Sequence, residues 1–225
     1  MNSNTGNDTN PQKEMRNKLV NKVLPIIVKN GFQSLRMEEI SKYMDVSKAT
    51  MYKYFASKDE VLESIVASLI DYINELVVKF CDTCQSYGTG FQQLFEQSLL
   101  LAAYISDVFL TELQAMYPEL HSHVTDAMRL REKHILQFYQ EGQNKHIFNE
   151  FNGYLIFLQD NVLVRAMLDI KFLMSYHLTL NQVLVDYYQL MKHQLFRPEQ
   201  LHTVDDTKFT SKLDFLANKI TRDLF

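Results

Sequence analysis

The side chains best suited to bind a partner in this sequence lie in one short polar segment. Its members are Ser47, Lys48, Ala49, Thr50, Tyr52, Lys53 and Tyr54. Lys48 and Lys53 can bind phosphates or guanine edges, and Thr50 can bind a phosphate or touch a thymine methyl group. Phenol hydroxyls suit phosphate oxygens, and the small side chain of Ala49 lets the backbone come close to the bases. Solubility alone explains this combination poorly, and it predicts a surface that binds a DNA groove.

Two short helices joined by a tight turn are predicted to position this segment. Apolar residues at helical spacing predict a first helix over Met37–Met44. Asp45 follows at the turn, where a short polar side chain tolerates a left-handed backbone. Ser47 is a good N-cap for a second helix, Lys48–Phe55, because its hydroxyl can accept a hydrogen bond from a free backbone N–H. The apolar residues of that helix share one side, so its polar side chains face outward.

A capped third helix follows directly. Ser57 and Glu60 match a capping box, in which each side chain satisfies a backbone N–H group of the other residue. Lys58 stands at the exposed start of this helix, where free N–H groups also attract a phosphate. The sequence therefore adds Lys58 to the predicted DNA contacts.

A longer pattern surrounds these helices. It comprises Gly31, Phe32, Ile40, Val46, Ser47, Thr50, Met51, Tyr52, Lys53, Tyr54, Phe55, Ser57 and Lys58. This pattern resembles the N-terminal signature of TetR-family transcriptional regulators. The resemblance implies an all-α protein with an N-terminal three-helix DNA-binding domain and a C-terminal effector-binding and dimerisation domain. It also implies a homodimer, most often a repressor, which leaves a palindromic operator when a small molecule binds.

Four positions depart from the family pattern. Pro25 removes a hydrogen bond inside the first helix and predicts a bend. Arg36 stands where a threonine commonly caps the next helix and contacts phosphate. Arginine can still bind phosphate but caps poorly, so Ser34 is expected to take over as the cap. Asp45 replaces the usual turn glycine, and His146 stands where a later turn tends to have glycine.

The charge distribution favours DNA binding at one end of the chain. The 225 residues carry a net charge of −4. Residues 13–58 hold ten Lys/Arg against four Asp/Glu, a net charge of +6, whereas residues 59–225 hold 13 against 22, a net charge of −9. A basic head on an acidic body is expected when only one end contacts a polyanion.

Several other classes of function are excluded or disfavoured. No apolar run is long enough to span a membrane, and the polar N-terminus lacks a secretory stretch, so we expect a cytoplasmic protein without membrane contact. The pair Cys81 and Cys84 is a weak metal or redox signal. His121 and His123 face different ways on a helix and are poor co-ligands. No catalytic or nucleotide-binding motif occurs, so we expect neither an enzyme nor a cofactor or metal site.

The predicted domain order follows from these patterns. It is a disordered tail at residues 1–12, a helix-turn-helix domain at 13–57, a connecting helix at 58–84, and a helical effector-binding and dimerisation domain at 85–225. Lys13–Asn30 is expected to form the first helix. Two glycines within Gln85–Gly90 predict a loop, and Asn144–Phe148 is expected to form a turn.

Two late helices are candidates for subunit contact. Glu150–His177 and Val183–Phe196 are each rich in apolar residues around most of their circumference, and such helices must be buried from several sides. We expect them to form the dimer interface. A monomer core is the alternative, but two consecutive helices of this kind are hard to bury in so small a body.

A small apolar or amphipathic effector is predicted for the body. The candidate ligand-binding residues are Phe95, Tyr104, Phe109, Tyr117, Phe138, Phe157, Asn161 and Arg165. The alternative is that most of these residues form ordinary core and that Arg165 pairs with Asp169. Two rival functions are an effector-independent dimeric DNA-binding factor and a helical enzyme whose basic head is incidental. An enzyme would need a cluster of titrating groups, which the sequence does not show.

Overall fold

The part of the chain that the structure describes folds almost entirely into helices. A computed structural model of the protein describes residues 11–75 and 84–224. The helices in these ranges are α1 (Pro11–Asn30), α2 (Met37–Tyr43), α3 (Lys48–Met51), α4 (Lys58–Asn74), α5 (Cys84–Tyr104), α6 (Asp107–Met116), α7 (Pro118–Asn144), α8 (Gly153–Met167), α9 (Ile170–Ser175), α10 (Leu180–Leu195), a 3₁₀ helix (Pro198–Thr203) and α11 (Thr207–Leu224). The only β pairing in the same ranges is an isolated bridge between Phe148 and Phe196. The predicted all-α fold is confirmed.

The N-terminal helices differ from the prediction at two points. The predicted tail lies outside the described residues except for Pro11 and Gln12, which begin α1. Proline suits the first helical turn because it has no N–H group to leave unpaired. α1 continues through Pro25, and the bend expected there stays a prediction. Residues 76–83 of the predicted connecting helix, including Cys81, lie outside the described residues, and Cys84 begins α5.

The chain forms two compact units. Unit 1 contains the described residues up to 72 together with residues 104–126, and unit 2 contains the described residues from 73 to 103 and from 127 to 224. This grouping differs from the predicted domain order because α6 and the first part of α7 pack with the N-terminal helices. The functional division into a DNA-binding and an effector-binding domain stays a prediction.

Unit 1 is built around one apolar core. Helical spacing places large side chains on the inner faces of α1, α2, α3, α4 and α6. In these helices and the residues between them, the side chains with no measurable exposure include Val23, Ile27, Phe32, Ile40, Met44, Met51, Phe55, Val61, Leu62, Phe109 and Leu113. The backbone N–H of Ser106 donates to the carbonyl of Val28 at 2.9 Å, which fixes the start of α6 against α1. The helix-turn-helix therefore lies on a support to which α6 contributes.

In unit 2, the predicted loop Gln85–Gly90 is wrong. These residues lie inside α5. A Cβ atom at Gly88 would lie 3.2 Å from the Cα atom of Val204 and 3.3 Å from the carbonyl oxygen of Thr203. The glycine therefore permits a close approach between α5 and the residues before α11, and it does not mark a turn.

The segment that follows α7 and leads to α8 is hydrogen-bonded to the end of α10. The predicted turn Asn144–Phe148 is confirmed, with His146 in the left-handed region at φ 58°. The N–H of Asn149 donates to Leu195 at 2.8 Å, and the N–H of Arg197 donates to Ile147 at 3.0 Å. The Asn149 side-chain amide also donates to the carbonyls of Gln194 and Phe196, at 3.1 Å and 2.9 Å. The bonds from Asn149 satisfy carbonyls that the end of α10 leaves free.

Of the two predicted late apolar helices, the first differs from the structure and the second agrees closely with it. Glu150–His177 is not one helix, because it divides into α8 and α9. Asp169 accepts a hydrogen bond from the N–H of Lys171 at 2.8 Å and so caps α9. α10 agrees with the predicted Val183–Phe196, and Thr179 is its N-cap.

Within the described residues, no single helix is long and apolar enough to cross a membrane, and only the bent pair Tyr87–Tyr104 and Asp107–Met116 together has the necessary length and apolar composition. The same residues contain no group of three or more His, Cys, Asp or Glu side chains placed to hold a metal ion.

Candidate nucleic-acid interface

The turn between α2 and α3 has the predicted geometry. Asp45 adopts a left-handed backbone with φ 57°. The next N–H group, that of Val46, donates to the carbonyl of Ser41 at 3.1 Å. Ser47 then caps α3, since its hydroxyl accepts a hydrogen bond from the N–H of Thr50 at 3.1 Å. Local side-chain chemistry thus sets the angle at which α3 leaves α2.

The second helix of the motif is shorter than predicted. Regular α-helix ends at Met51, and the N–H groups of Lys53 and Tyr54 donate to carbonyls only three residues back, at 3.1 Å and 2.9 Å. The predicted helix Lys48–Phe55 therefore ends in a tightened turn. Met51 and Phe55 are both fully buried, so the predicted inner face is confirmed.

The predicted DNA-contacting side chains form one surface of unit 1. Ser47, Lys48, Ala49, Tyr52 and Lys53 are exposed, and Thr50 and Tyr54 are partly exposed. The structure thus brings the whole segment to solvent on one short stretch of backbone. Its composition is basic and rich in hydroxyl groups.

Lys48 is held by contacts within the protein. Its ammonium group forms an ion pair with Glu38 of α2, and each of the two side chains is 52% exposed. The hydrogen bond from Lys48 lowers the pKa of Glu38, and the same bond raises the pKa of Lys48. The Lys48 ammonium also lies 5.9 Å from the centre of the Tyr52 ring. A DNA phosphate would compete with Glu38 for this lysine.

Arg36 occupies the N-cap position of α2, with no capping bond from its side chain. The expectation that Ser34 caps this helix is wrong. Glu39 instead accepts a hydrogen bond from the N–H of Arg36 at 2.8 Å, so an acidic residue in the first turn replaces the missing cap. The Arg36 side chain is exposed and remains available to a polyanion.

Lys58 is bound to the loop between α1 and α2. Its ammonium group donates to the carbonyls of Phe32, Gln33 and Leu35, at 2.6, 3.2 and 2.8 Å. Burial lowers its pKa from the usual value. The predicted capping box is confirmed at Ser57, whose hydroxyl accepts from the N–H of Glu60 at 3.3 Å. The Glu60 carboxylate reaches one residue further than predicted, to the N–H of Ala56 at 3.0 Å.

The structure does not bring the eight predicted ligand-binding residues together. Tyr104, Phe109 and Tyr117 belong to unit 1, where Phe109 and Tyr117 pack against Phe32. Phe109 and Tyr117 thus pack with the N-terminal helices, and the role of these three residues in effector binding stays a prediction.

The remaining five predicted ligand residues lie in unit 2. Phe95 and Phe138 are buried in its aromatic core, Phe157 is partly exposed, and Asn161 and Arg165 are exposed on α8. A groove of 610 Å³ in this unit is lined by other residues. They are Ile170, Leu173, Met174, His177, Leu178, Thr179, Leu180, Asn181, Ala217, Asn218 and Thr221.

Sequence reasoning missed a buried polar cluster in unit 2. Arg131 donates to the side chains of Gln97 and Ser98, both at 2.7 Å, and Tyr187 donates to Asp160 at 3.2 Å. Burial raises the pKa of Asp160, against the opposing effect of the hydrogen bond from Ser98 and the charge of Arg131. One signal was available in the sequence, because Arg131 interrupts an apolar stripe of α7. The stripe consists of Val124, Ala127, Ile135 and Phe138.

Comparisons with known proteins agree with this geometry. The sequence profile of bacterial regulatory proteins of the tetR family matches residues 26–65, which include the helix-turn-helix. A relative over most of the chain is the biofilm operon icaADBC HTH-type negative transcriptional regulator IcaR of Staphylococcus aureus. It is 20% identical over 164 residues, which cover 70% of this chain and 87% of the relative.

Solved structures share the fold. A transcriptional regulator from Saccharomonospora viridis in complex with choline has a TM-score of 0.59 and 15% identity, over 82% of this chain and 99% of its own. A TetR transcriptional regulator from Chloroflexus aurantiacus has a TM-score of 0.54 and 13% identity, over 82% and 98%. The predicted resemblance to the TetR family is therefore confirmed over residues 26–65. The relatives support a DNA-binding transcriptional regulator as the class of function. The named relatives are transcriptional regulators, in agreement with the prediction of a non-enzymatic protein.

Proposed function

We propose that the protein is a homodimeric repressor that binds a palindromic operator and is released from it by a small effector. The observation that carries this proposal is the exposed basic segment 47–54 on a capped α3, within residues that match the tetR profile. The relative IcaR is a negative transcriptional regulator, which supports repression as the output.

The proposed DNA contacts follow the exposed surface of unit 1. They are Arg36, Ser47, Lys48, Ala49, Thr50, Tyr52, Lys53 and Tyr54. Basic and hydroxyl side chains fix the position on the phosphates, while Lys48, Ala49 and Thr50 are placed to read base edges. Lys58 could contact a phosphate only by exchanging its bonds to the three carbonyls of the 32–35 loop.

Exposed apolar side chains on α8 and α10 support the proposed dimer. Leu155 and Leu158 of α8 are 62% and 57% exposed, and Val162 and Tyr154 of the same helix are also exposed, as is Leu190 of α10. The spacing from Leu155 to Leu158 to Val162 places them on one helix face. A contiguous face of this kind marks a contact surface, and two-fold pairing there would match a palindromic site.

The proposed effector is apolar or amphipathic and binds within unit 2. The choline complex of the Saccharomonospora viridis protein supports only that this fold can hold a small organic ligand. Arg131 and Asp160 supply buried polar groups against which an amphipathic molecule could be oriented. The alternative, a regulator without an effector, is favoured by the dispersal of the eight predicted ligand residues. Mass spectrometry of the natively purified dimer decides between them, since a co-purified small molecule supports the effector.

A duplex enriched from a random-sequence pool by the wild-type protein tests the DNA-binding part. Lys48→Ala and Tyr54→Ala should each weaken binding to that duplex while leaving the dimer mass unchanged. Lys133→Ala, an exposed lysine of unit 2, is the charge-matched control and should bind normally. Unchanged binding in both head variants would refute the assigned contacts.

A further inference from the structure

The loop between α1 and α2 contains a small anion-binding arrangement of backbone N–H groups. Gly31 is left-handed with φ 81°, and the N–H groups of Phe32 and Gln33 follow it. Both donate to one carboxylate oxygen of Glu112, at 2.5 Å and 2.9 Å. Successive N–H groups beside a left-handed residue form a concavity that binds anions. Here a side chain of the protein itself fills it, from 80 residues further along the chain.

Gly31 is needed for two reasons at this place. Residues that have a Cβ atom rarely adopt its left-handed backbone conformation. A Cβ atom at Gly31 would also lie 2.6 Å from Glu112 Oε2 and 2.8 Å from Oε1. The glycine therefore allows both the turn of the chain and the approach of the carboxylate.

A positively charged side chain, Lys58, binds the carbonyl groups of the same loop. Lys58 donates to Phe32, Gln33 and Leu35, and its ammonium lies 5.7 Å from the centre of the Phe32 ring. Tyr117, directly after α6, packs its ring on Phe32 at 5.7 Å. The loop is thus bound by an anion at its N–H groups and by a cation at its C=O groups.

This loop sets the start of α2 and, through it, the DNA-facing segment. Arg36 is the N-cap of α2 and lies only three residues after Gln33, and α2 is followed by α3 through a turn of a few residues. We propose that Glu112 is a positioning residue for DNA binding, whose carboxylate fixes the 31–35 loop and thereby aims α2 and α3. This inference rests on the proposed DNA-binding function.

A simple electrostatic argument predicts the opposite effect for Glu112. Removing a carboxylate from the basic head should strengthen attraction to DNA phosphates. If Glu112 positions the loop, removing it should weaken binding, because the loop loses two charge-assisted hydrogen bonds. The sign of the change therefore separates the two interpretations.

The test compares Glu112→Ala, Glu112→Gln and Glu119→Ala with the wild type on the enriched duplex. Glu119 is an exposed acid in the first turn of α7, and its replacement removes the same charge from unit 1. We expect about a tenfold or greater loss of affinity for Glu112→Ala, since each bond to a charged group contributes substantially. Glu112→Gln should lose less, and Glu119→Ala should bind as tightly as the wild type or more tightly.

A second measurement asks whether the site takes an external anion. Replacing chloride by acetate at constant ionic strength should restore part of the affinity of Glu112→Ala and leave the wild type unchanged. Amide hydrogen exchange without DNA should show Phe32 and Gln33 protected in the wild type and less protected in Glu112→Ala. A role confined to stability would lower the melting temperature without acetate rescue.

The outcomes are distinguishable from failure of the proposed function. If the wild type enriches no duplex, the DNA-binding proposal fails and this inference fails with it, whatever the exchange data show. If the wild type binds, and Glu112→Ala binds equally well or without acetate rescue, Glu112 does not position the interface. Loss of protection with unchanged DNA binding would likewise overturn the inference.

Discussion

Lys48 and Lys53 should contribute differently to the salt dependence of DNA binding, although both are exposed and only five residues apart. Lys48 is already paired with Glu38, whereas Lys53 forms no ion pair within the part of the chain that the structure describes. A phosphate that binds Lys53 replaces only counterions. A phosphate that binds Lys48 must also displace a carboxylate, which then needs its own counterion.

The magnitude follows from counterion release. Each neutralised phosphate contributes about 0.9 to the slope of log K against log salt, so a dimer with two copies of Lys53 loses about 1.8 in Lys53→Ala. Between about 50 and 200 mM salt this slope change alters the affinity ratio of wild type to variant by about tenfold. Lys48→Ala should change the slope by clearly less than Lys53→Ala does. The Glu38→Gln variant should have a steeper slope than the wild type.

Fluorescence anisotropy with a labelled random-sequence duplex over a KCl series measures these slopes. The random sequence isolates phosphate contacts from base reading. The Lys133→Ala variant again provides the control for loss of one positive charge. Equal slope changes in Lys48→Ala and Lys53→Ala, together with no effect of Glu38→Gln, would refute the competition between Glu38 and DNA.

Two further predictions concern packing and assembly. Gly142→Ala should destabilise the protein by about 1–2 kcal/mol in denaturant unfolding, because the new Cβ atom would lie 2.1 Å from the buried Phe148 ring and the overpacking outweighs the gain in helix propensity. Gly153→Ala meets nothing closer than 3.4 Å and should be neutral, so equal effects would contradict the argument. Leu158→Lys should shift the dimer to monomer in analytical ultracentrifugation without loss of helix content; an unchanged dimer would exclude this face of α8.

Features set by neighbours in sequence could be predicted from the sequence. The Ser47 cap, the left-handed Asp45 and the hydroxyl cap of Ser57 each depend on groups within a few residues. The inner face of the second helix was predictable because Met51 and Phe55 differ sharply in polarity from the residues around them. The DNA-facing surface follows from the same local pattern.

Features set by distant residues could not be predicted in the same way. Gly88 was predicted to lie in a loop because glycine is a local loop signal. Its actual role depends on the backbone of Val204, which packs on it and is distant in sequence. Lys58 reads as a phosphate ligand, since its carbonyl partners lie more than 20 residues earlier. Glu112 has no local signal at all, because the amide groups that bind its carboxylate follow α1.

The connection around Asn149 bears on how readily two subunits would associate. It fastens the end of α10 to the residues that lead into α8, so one end of each helix is already fixed within a single subunit. A preorganised surface loses less conformational entropy when a partner arrives than one that must first be ordered. More of the free energy from burying Leu155 and Leu158 would then remain as affinity, and association would resemble the meeting of two rigid bodies more than coupled folding.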